Sequence, residues 1–155
     1  KSKNYSLQDT EISLDELITV RKKTVITTDD NMDNTEIPFI QANSMDRIIN
    51  LLENMYENPM TSQQIAELMD FLPRQSDYYF NAGKYIGLFE KKTDDKQVVV
   101  ELTTLGNKVF KLNYKERQLK LVSLILEHKI FAHFFDILTF DKSVAPFLRY
   151  CIIAI

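Results

Sequence analysis

Tryptophan is absent from the 155 residues, cysteine occurs once, glycine three times and proline four times. The lone Cys151 excludes an internal disulfide and suits a reducing cytoplasm. So few glycines and prolines exclude a fold of long loops and predict one dominated by helices. No apolar run approaches the roughly 20 residues needed to cross a bilayer, and the polar, charged amino end lacks the apolar stretch of a secretory signal. No glycine-rich segment has the spacing of a phosphate-binding loop. An excess of positive charge is missing too. The formal net charge is -3, whereas a dedicated DNA-binding domain is usually basic.

What is present is ordinary for a soluble globular protein: 45% hydrophobic and 26% charged residues, with ten Phe and seven Tyr. The length suits one small domain with a helical extension. Charge is uneven along the chain. Residues 1–43 hold five basic and eight acidic side chains, residues 44–112 hold eight and ten, and residues 113–155 hold six and four. The chain starts with Lys1 and stops inside the apolar run Tyr150-Cys151-Ile152-Ile153-Ala154-Ile155, which reads as a piece of a larger protein.

Three segments emerge. Residues 1–43 form an amino-terminal extension or linker. In it, Ser13 and Glu16 have the spacing of a capping box that opens a short helix, while Val20, Val25, Ile26, Thr27 and Thr28 favour extended chain. The acidic stretch Asp29–Asn34 lacks the central glycine and the terminal glutamate of a calcium loop and reads as a solvated linker. Residues 44–112 are the most structured. Ser44 caps a helix to about Tyr56, on which Met45, Ile48, Ile49, Leu51, Leu52 and Met55 make an apolar stripe. Thr61, with Gln64 at the capping-box position, opens a helix that buries Ile65, Ala66, Leu68 and Met69. After the turn Phe71-Leu72-Pro73, a second helix runs from about Arg74 to Ile86, with Tyr78, Ala82, Tyr85 and Ile86 on its buried side and Tyr79 adjoining. Gly87 suits a left-handed carboxyl cap. Phe89–Lys92 and Val98–Leu102 read as strands joined by Thr93–Gln97, and Thr103 caps a helix through Leu105, Val109 and Phe110. Residues 113–155 stay helical and strongly apolar until Pro146, a helical extension that must pack on something.

Helix, tight turn, helix, then two strands around a polar loop is the ground plan of a winged helix-turn-helix. The predicted fold class is therefore α+β, mostly helical, with a two-stranded wing and a C-terminal helical extension. The segments Ile65-Ala66-Glu67-Leu68, Arg74-Gln75-Ser76-Asp77-Tyr78-Tyr79, Tyr85-Ile86-Gly87-Leu88 and Leu102-Thr103-Thr104-Leu105-Gly106 carry a resemblance. Over residues 44–135 the chain resembles a winged helix-turn-helix module of bacterial proteins, including some described as type II restriction enzymes. The resemblance implies a DNA-linked, prokaryotic, cytoplasmic, restriction-modification context. It brings no catalytic residues, because it does not reach a nuclease motif.

In a helix-turn-helix the amino-terminal residues of the second helix reach base edges. Here that helix spans about 74–86 and the wing about 89–102. The candidate DNA contacts are Arg74, Gln75, Ser76, Tyr79 and Lys84 on the helix, with Lys91, Lys92 and Lys96 on the wing. Arg pairs with guanine and Gln with adenine. Asp77 opposes phosphate, and Phe80 on the open face suits a protein contact. The first reading is a DNA-binding module of a larger restriction-type or regulatory protein, with duplex DNA as partner. The second is a protein-protein interaction or dimerisation module, with residues 114–155 as the surface for a homodimer or a further domain.

Complete catalytic chemistry is not in view. Asp94-Asp95-Lys96 sits at the wing tip without a second acidic strand, and Asp141-Lys142 lacks the acid-x-lysine spacing of a metal-dependent nuclease. His128 and His133 are five apart, so on one helix they point to different faces. Glu127 adjoins His128 without facing it, and Cys151 has only Arg149 near it. No metal site, cofactor or membrane partner is expected.

Overall fold

The computed structural model describes residues 10–28, 42–56, 58–94 and 96–140. The acidic stretch 29–34, Asp141-Lys142, Pro146 and Cys151 lie outside the described residues. Among the described residues, seven helices and one antiparallel hairpin make an α+β fold that is mostly helical: α1 Leu14–Lys23, α2 Met45–Met55, α3 Ser62–Met69, α4 Pro73–Tyr85, β1 Phe89–Asp94, β2 Gln97–Leu102, α5 Thr104–Phe110, α6 Tyr114–Leu126 and α7 Lys129–Phe140. These divide into two compact units, one containing residues 10–28 and 111–140, the other the described residues from 42 to 110.

The first unit joins α1 to α6 and α7. Ser13 and Glu16 form the predicted capping box, the hydroxyl accepting from Glu16 N at 3.2 Å and the carboxylate accepting from Ser13 N at 2.9 Å. Acidic residues in the first turn and Arg21, Lys22 and Lys23 in the last suit the helix dipole. Val20, expected in extended chain, lies in α1; the extended stretch begins at Thr24. Leu17, Leu121, Leu124, Leu126 and Ala132 supply the core. Arg21 donates twice to Asp136, at 2.9 and 2.8 Å, and Lys115 pairs with Glu16 at 2.7 Å. That lysine, together with Ser13 N–H, holds the Glu16 carboxyl down at about 2 from an ordinary 4.5. The amino-terminal segment is therefore built into a helical unit with the carboxy-terminal helices. There α6 packs against both α1 and α7.

The second unit is ordered by helix caps and a close helix–hairpin approach. Ser44 caps α2, and Thr61 with Gln64 forms the capping box of α3. Asp70 ends α3 in the left-handed region, with φ 51° and ψ 47°, a conformation that Asp tolerates better than most residues. Pro73 is the first residue of α4, where its missing N–H costs nothing. Between α2 and α3, Met60 exchanges two backbone hydrogen bonds with Val100, at 2.9 and 2.7 Å, so the chain before α3 touches β2 as a one-residue strand. β1 and β2 pair from Phe89↔Leu102 to Asp94↔Gln97. The strands thus run further than the expected Phe89–Lys92 and Val98–Leu102, and the tip is only two residues long, with Lys96 at φ 68°.

The Leu102-Thr103-x-x-Gly106 signature has a structural explanation. Thr103 Oγ1 donates to Gly87 O at 2.6 Å and accepts from Gly106 N at 3.0 Å, tying the end of α4 to the start of α5. Gly106 lies against the carbonyl oxygen of Leu88, where any β-carbon would collide. Tyr56 stacks on Phe110 at 3.9 Å between ring centroids, fastening α2 to α5.

Candidate functional site

The burial of α4 decides which residues can meet a ligand. Ser76 is 1% exposed, Tyr79 2% and Phe80 4%, and Gly83 is buried beneath the Phe89 ring. Ser76, Tyr79, Gly83 and Ile86 recur at helical spacing, and this stripe faces the core. The opposite stripe, Arg74, Asp77, Asn81 and Lys84, is exposed or half-exposed and wholly polar, with Tyr78 half-buried beside it.

This corrects the sequence-based placement in part: Ala82, Tyr85 and Ile86 are buried as expected, while Ser76, Tyr78 and Phe80 lie elsewhere than expected. Phe80, expected on the open face, is a core residue, as is Tyr79, which the sequence places both beside the buried side and among the candidate DNA contacts; Tyr78, expected in the core, lies at the surface edge. Ser76 is inside and cannot serve as a direct base contact in this conformation. The reason is that small Ser76 and Gly83 let α4 lie close to its neighbours, and size and polarity alone do not reveal that. Gln75 has a local duty: its Oε1 accepts from Leu72 N at 2.9 Å, completing the amino end of α4 where Leu72 offers no cap.

Arg74 and Lys84 keep their expected exposure, and the Arg74 guanidinium lies 5.5 Å from the Tyr78 ring centroid. Lys91 and Lys92 do not act together, because adjacent strand residues point to opposite faces. Lys91 turns towards α4, with Nζ 4.6 Å above the Phe80 ring and 3.7 Å from Asp77 Oδ1. Lys92 pairs with Glu101 at 3.4 Å across the hairpin. Lys96 is exposed at the tip.

Sequence reasoning overlooked Arg47 in the first turn of α2. Its guanidinium lies 5.3 Å from the Phe71 centroid and 5.9 Å from that of Tyr79, while those two rings stack at 4.7 Å. Tyr79 OH donates to Asn43 Oδ1 at 2.9 Å, fixing the ring beneath the arginine. A helix-capping serine followed by Asp46 and Arg47 carries no local sign of this contact, which joins residues 24 or more apart.

Other chemistry is sparse. Among the described residues, no three His, Cys, Asp or Glu side chains gather as a metal site. His128 is buried at the α6–α7 junction, where Thr28 bridges to it, and His133 is exposed on α7. No helix among the described residues is long and apolar enough to cross a membrane.

Comparison with curated proteins and with solved structures yields no match. Residues 47–148 match a protein family, from α2 through α7, and so cover both the polar stripe of α4 and the hairpin. The chain belongs to that family, which is described as a domain of unknown function (DUF7226).

Proposed function

We propose that this chain is the DNA-binding part of a larger prokaryotic protein, restriction-type or regulatory, built as a winged helix-turn-helix. The order α2, one-residue strand, α3, tight turn, α4 and hairpin supports the fold, and the Met60–Val100 bridge supplies the short first strand of such a sheet. The observation that carries the function is the division of α4. Its inner stripe is packed, while Arg74, Asp77, Asn81 and Lys84 form an outward stripe with side chains suited to hydrogen-bonding base edges. In this reading α4 enters the major groove, and Lys91 and Lys96 meet flanking phosphates.

Asp77 restrains affinity by occupying Lys91 and repelling phosphate. In a titration of labelled mixed-sequence duplex, Arg74→Ala combined with Lys84→Ala weakens binding and flattens its dependence on salt, whereas Asp77→Asn strengthens it. Binding that ignores both salt and these substitutions would overturn the proposal.

One observation favours a second reading, a protein-binding module. Leu68, expected on the buried face of α3, is 47% exposed, and Leu72 in the α3–α4 turn is 70% exposed. A partner protein bound there loses affinity on Leu72→Asp while remaining indifferent to salt.

A further inference from the structure

Tyr78, Tyr79 and Phe80 are consecutive, and each carries a cation over its ring. Arg74 from α4 itself covers Tyr78, Arg47 from α2 covers Tyr79, and Lys91 from β1 covers Phe80. Successive helix positions turn by about 100°, so the three rings fan around α4 and hold cations on different sides of it. A guanidinium seated near a ring keeps its outward N–H groups available to an oxyanion, and its rotamer freedom is already reduced before any ligand arrives.

Arg74 lies on the reading stripe and Lys91 pairs with Asp77 of that stripe, which leaves Arg47. It is exposed, makes no ion pair among the described residues, and sits over Phe71 at the turn leading into α4. Tyr79 lies on the packed side of α4, so an arginine covering it flanks the helix rather than following Arg74 and Lys84 along the outward stripe. Contacts beside a reading helix fix register on the duplex without selecting sequence, and they go to phosphate oxygens.

We propose that Arg47 is a phosphate-contact residue, and that Arg47 and Lys91 form a ring-seated pair of cations gripping the sugar-phosphate backbone of duplex DNA beside the stripe to which Arg74 belongs. The proposal rests on the DNA-binding reading above and extends the site onto α2.

The test is the salt dependence of duplex binding by the full chain. Each phosphate contact adds about 0.9 to the slope of log affinity against log salt. Arg47→Gln therefore lowers the slope by about 0.9, which makes the loss of affinity between 50 and 200 mM salt about 3.5-fold smaller. Arg47→Lys loses the guanidinium but keeps the charge, so it retains the wild-type slope. Relative preference among duplex sequences stays unchanged in both. A wild-type chain that does not bind duplex in a salt-dependent way defeats the DNA reading itself. Steep wild-type binding with equal slopes for Arg47→Gln and Arg47→Lys defeats only the role of Arg47, leaving it a structural cation. Amide spectra of both variants confirm that the comparison is between folded proteins.

Discussion

Gly83→Ala tests the contact that sets the orientation of α4 against the hairpin. Built at Gly83, a β-carbon falls on Phe89, overlapping Cδ2 and Cε2 of the ring and lying 2.8 Å from Cγ. Phe89 is 1% exposed at the start of β1, so its ring cannot swing into solvent. Two effects oppose each other. Alanine in a helix interior is more favourable than glycine by about 1 kcal/mol, because the unfolded chain has less freedom to lose. Overpacking a dense core typically costs about 1–3 kcal/mol, and overlap with a ring atom rather than a flexible chain end puts this case near 3. The net is destabilisation by about 2 kcal/mol, a roughly 30-fold shift towards the unfolded form. Urea unfolding followed by the amide signals of α4 and β1 isolates this unit from the other. The midpoint falls in Gly83→Ala and recovers partly when Phe89→Leu vacates the space. If Gly83→Ala is as stable as the wild type or more so, the ring does not sit where the structure places it, and the burial pattern of α4 fails with it.

Thr103→Val keeps the shape of the side chain but removes its hydrogen bonds to Gly87 O and Gly106 N, so the same unit loses about 1–2 kcal/mol, read as a lower urea midpoint. An unchanged midpoint refutes its role as the lock between α4 and α5. In the other unit, Glu16 titrates at about 2 instead of 4.5. A carboxyl depressed in the folded state stabilises fully above its ordinary value, and that contribution is lost as pH falls from about 4.5 through about 2. In Lys115→Ala the Glu16 midpoint, followed by NMR of its carboxyl carbon, rises towards 4.5; a midpoint that stays put means that the 2.7 Å lysine contact is not its cause.

Local signals in the sequence were good guides wherever the physics is local. Ser13, Ser44 and Thr61 cap helices because a short side chain reaches the backbone N–H three residues on, and Glu16 and Gln64 reach back as their spacing predicts. Pro73 and Gly87 mark the start and end of α4 for equally local reasons. The acidic and basic residues around positions 93–97 could be assigned to a hairpin, although the strands run closer to the tip than their composition suggests.

Composition and spacing by themselves determined a helix-rich α+β chain with one hairpin, without an internal disulfide and without a membrane-spanning helix among its described residues. Tertiary structure decided the rest. Which side of α4 faces out depends on Ser76 and Gly83 being buried, Gly83 beneath a Phe89 ring that approaches from another element. Arg47 meets the Phe71–Tyr79 stack only because α2 brings it there. Residues 10–28 belong with α6 and α7 because Arg21 finds Asp136 and Glu16 finds Lys115, about 100 positions away in each case. Periodicity shows that a helix has two faces; only the neighbours that pack against it settle which one meets solvent.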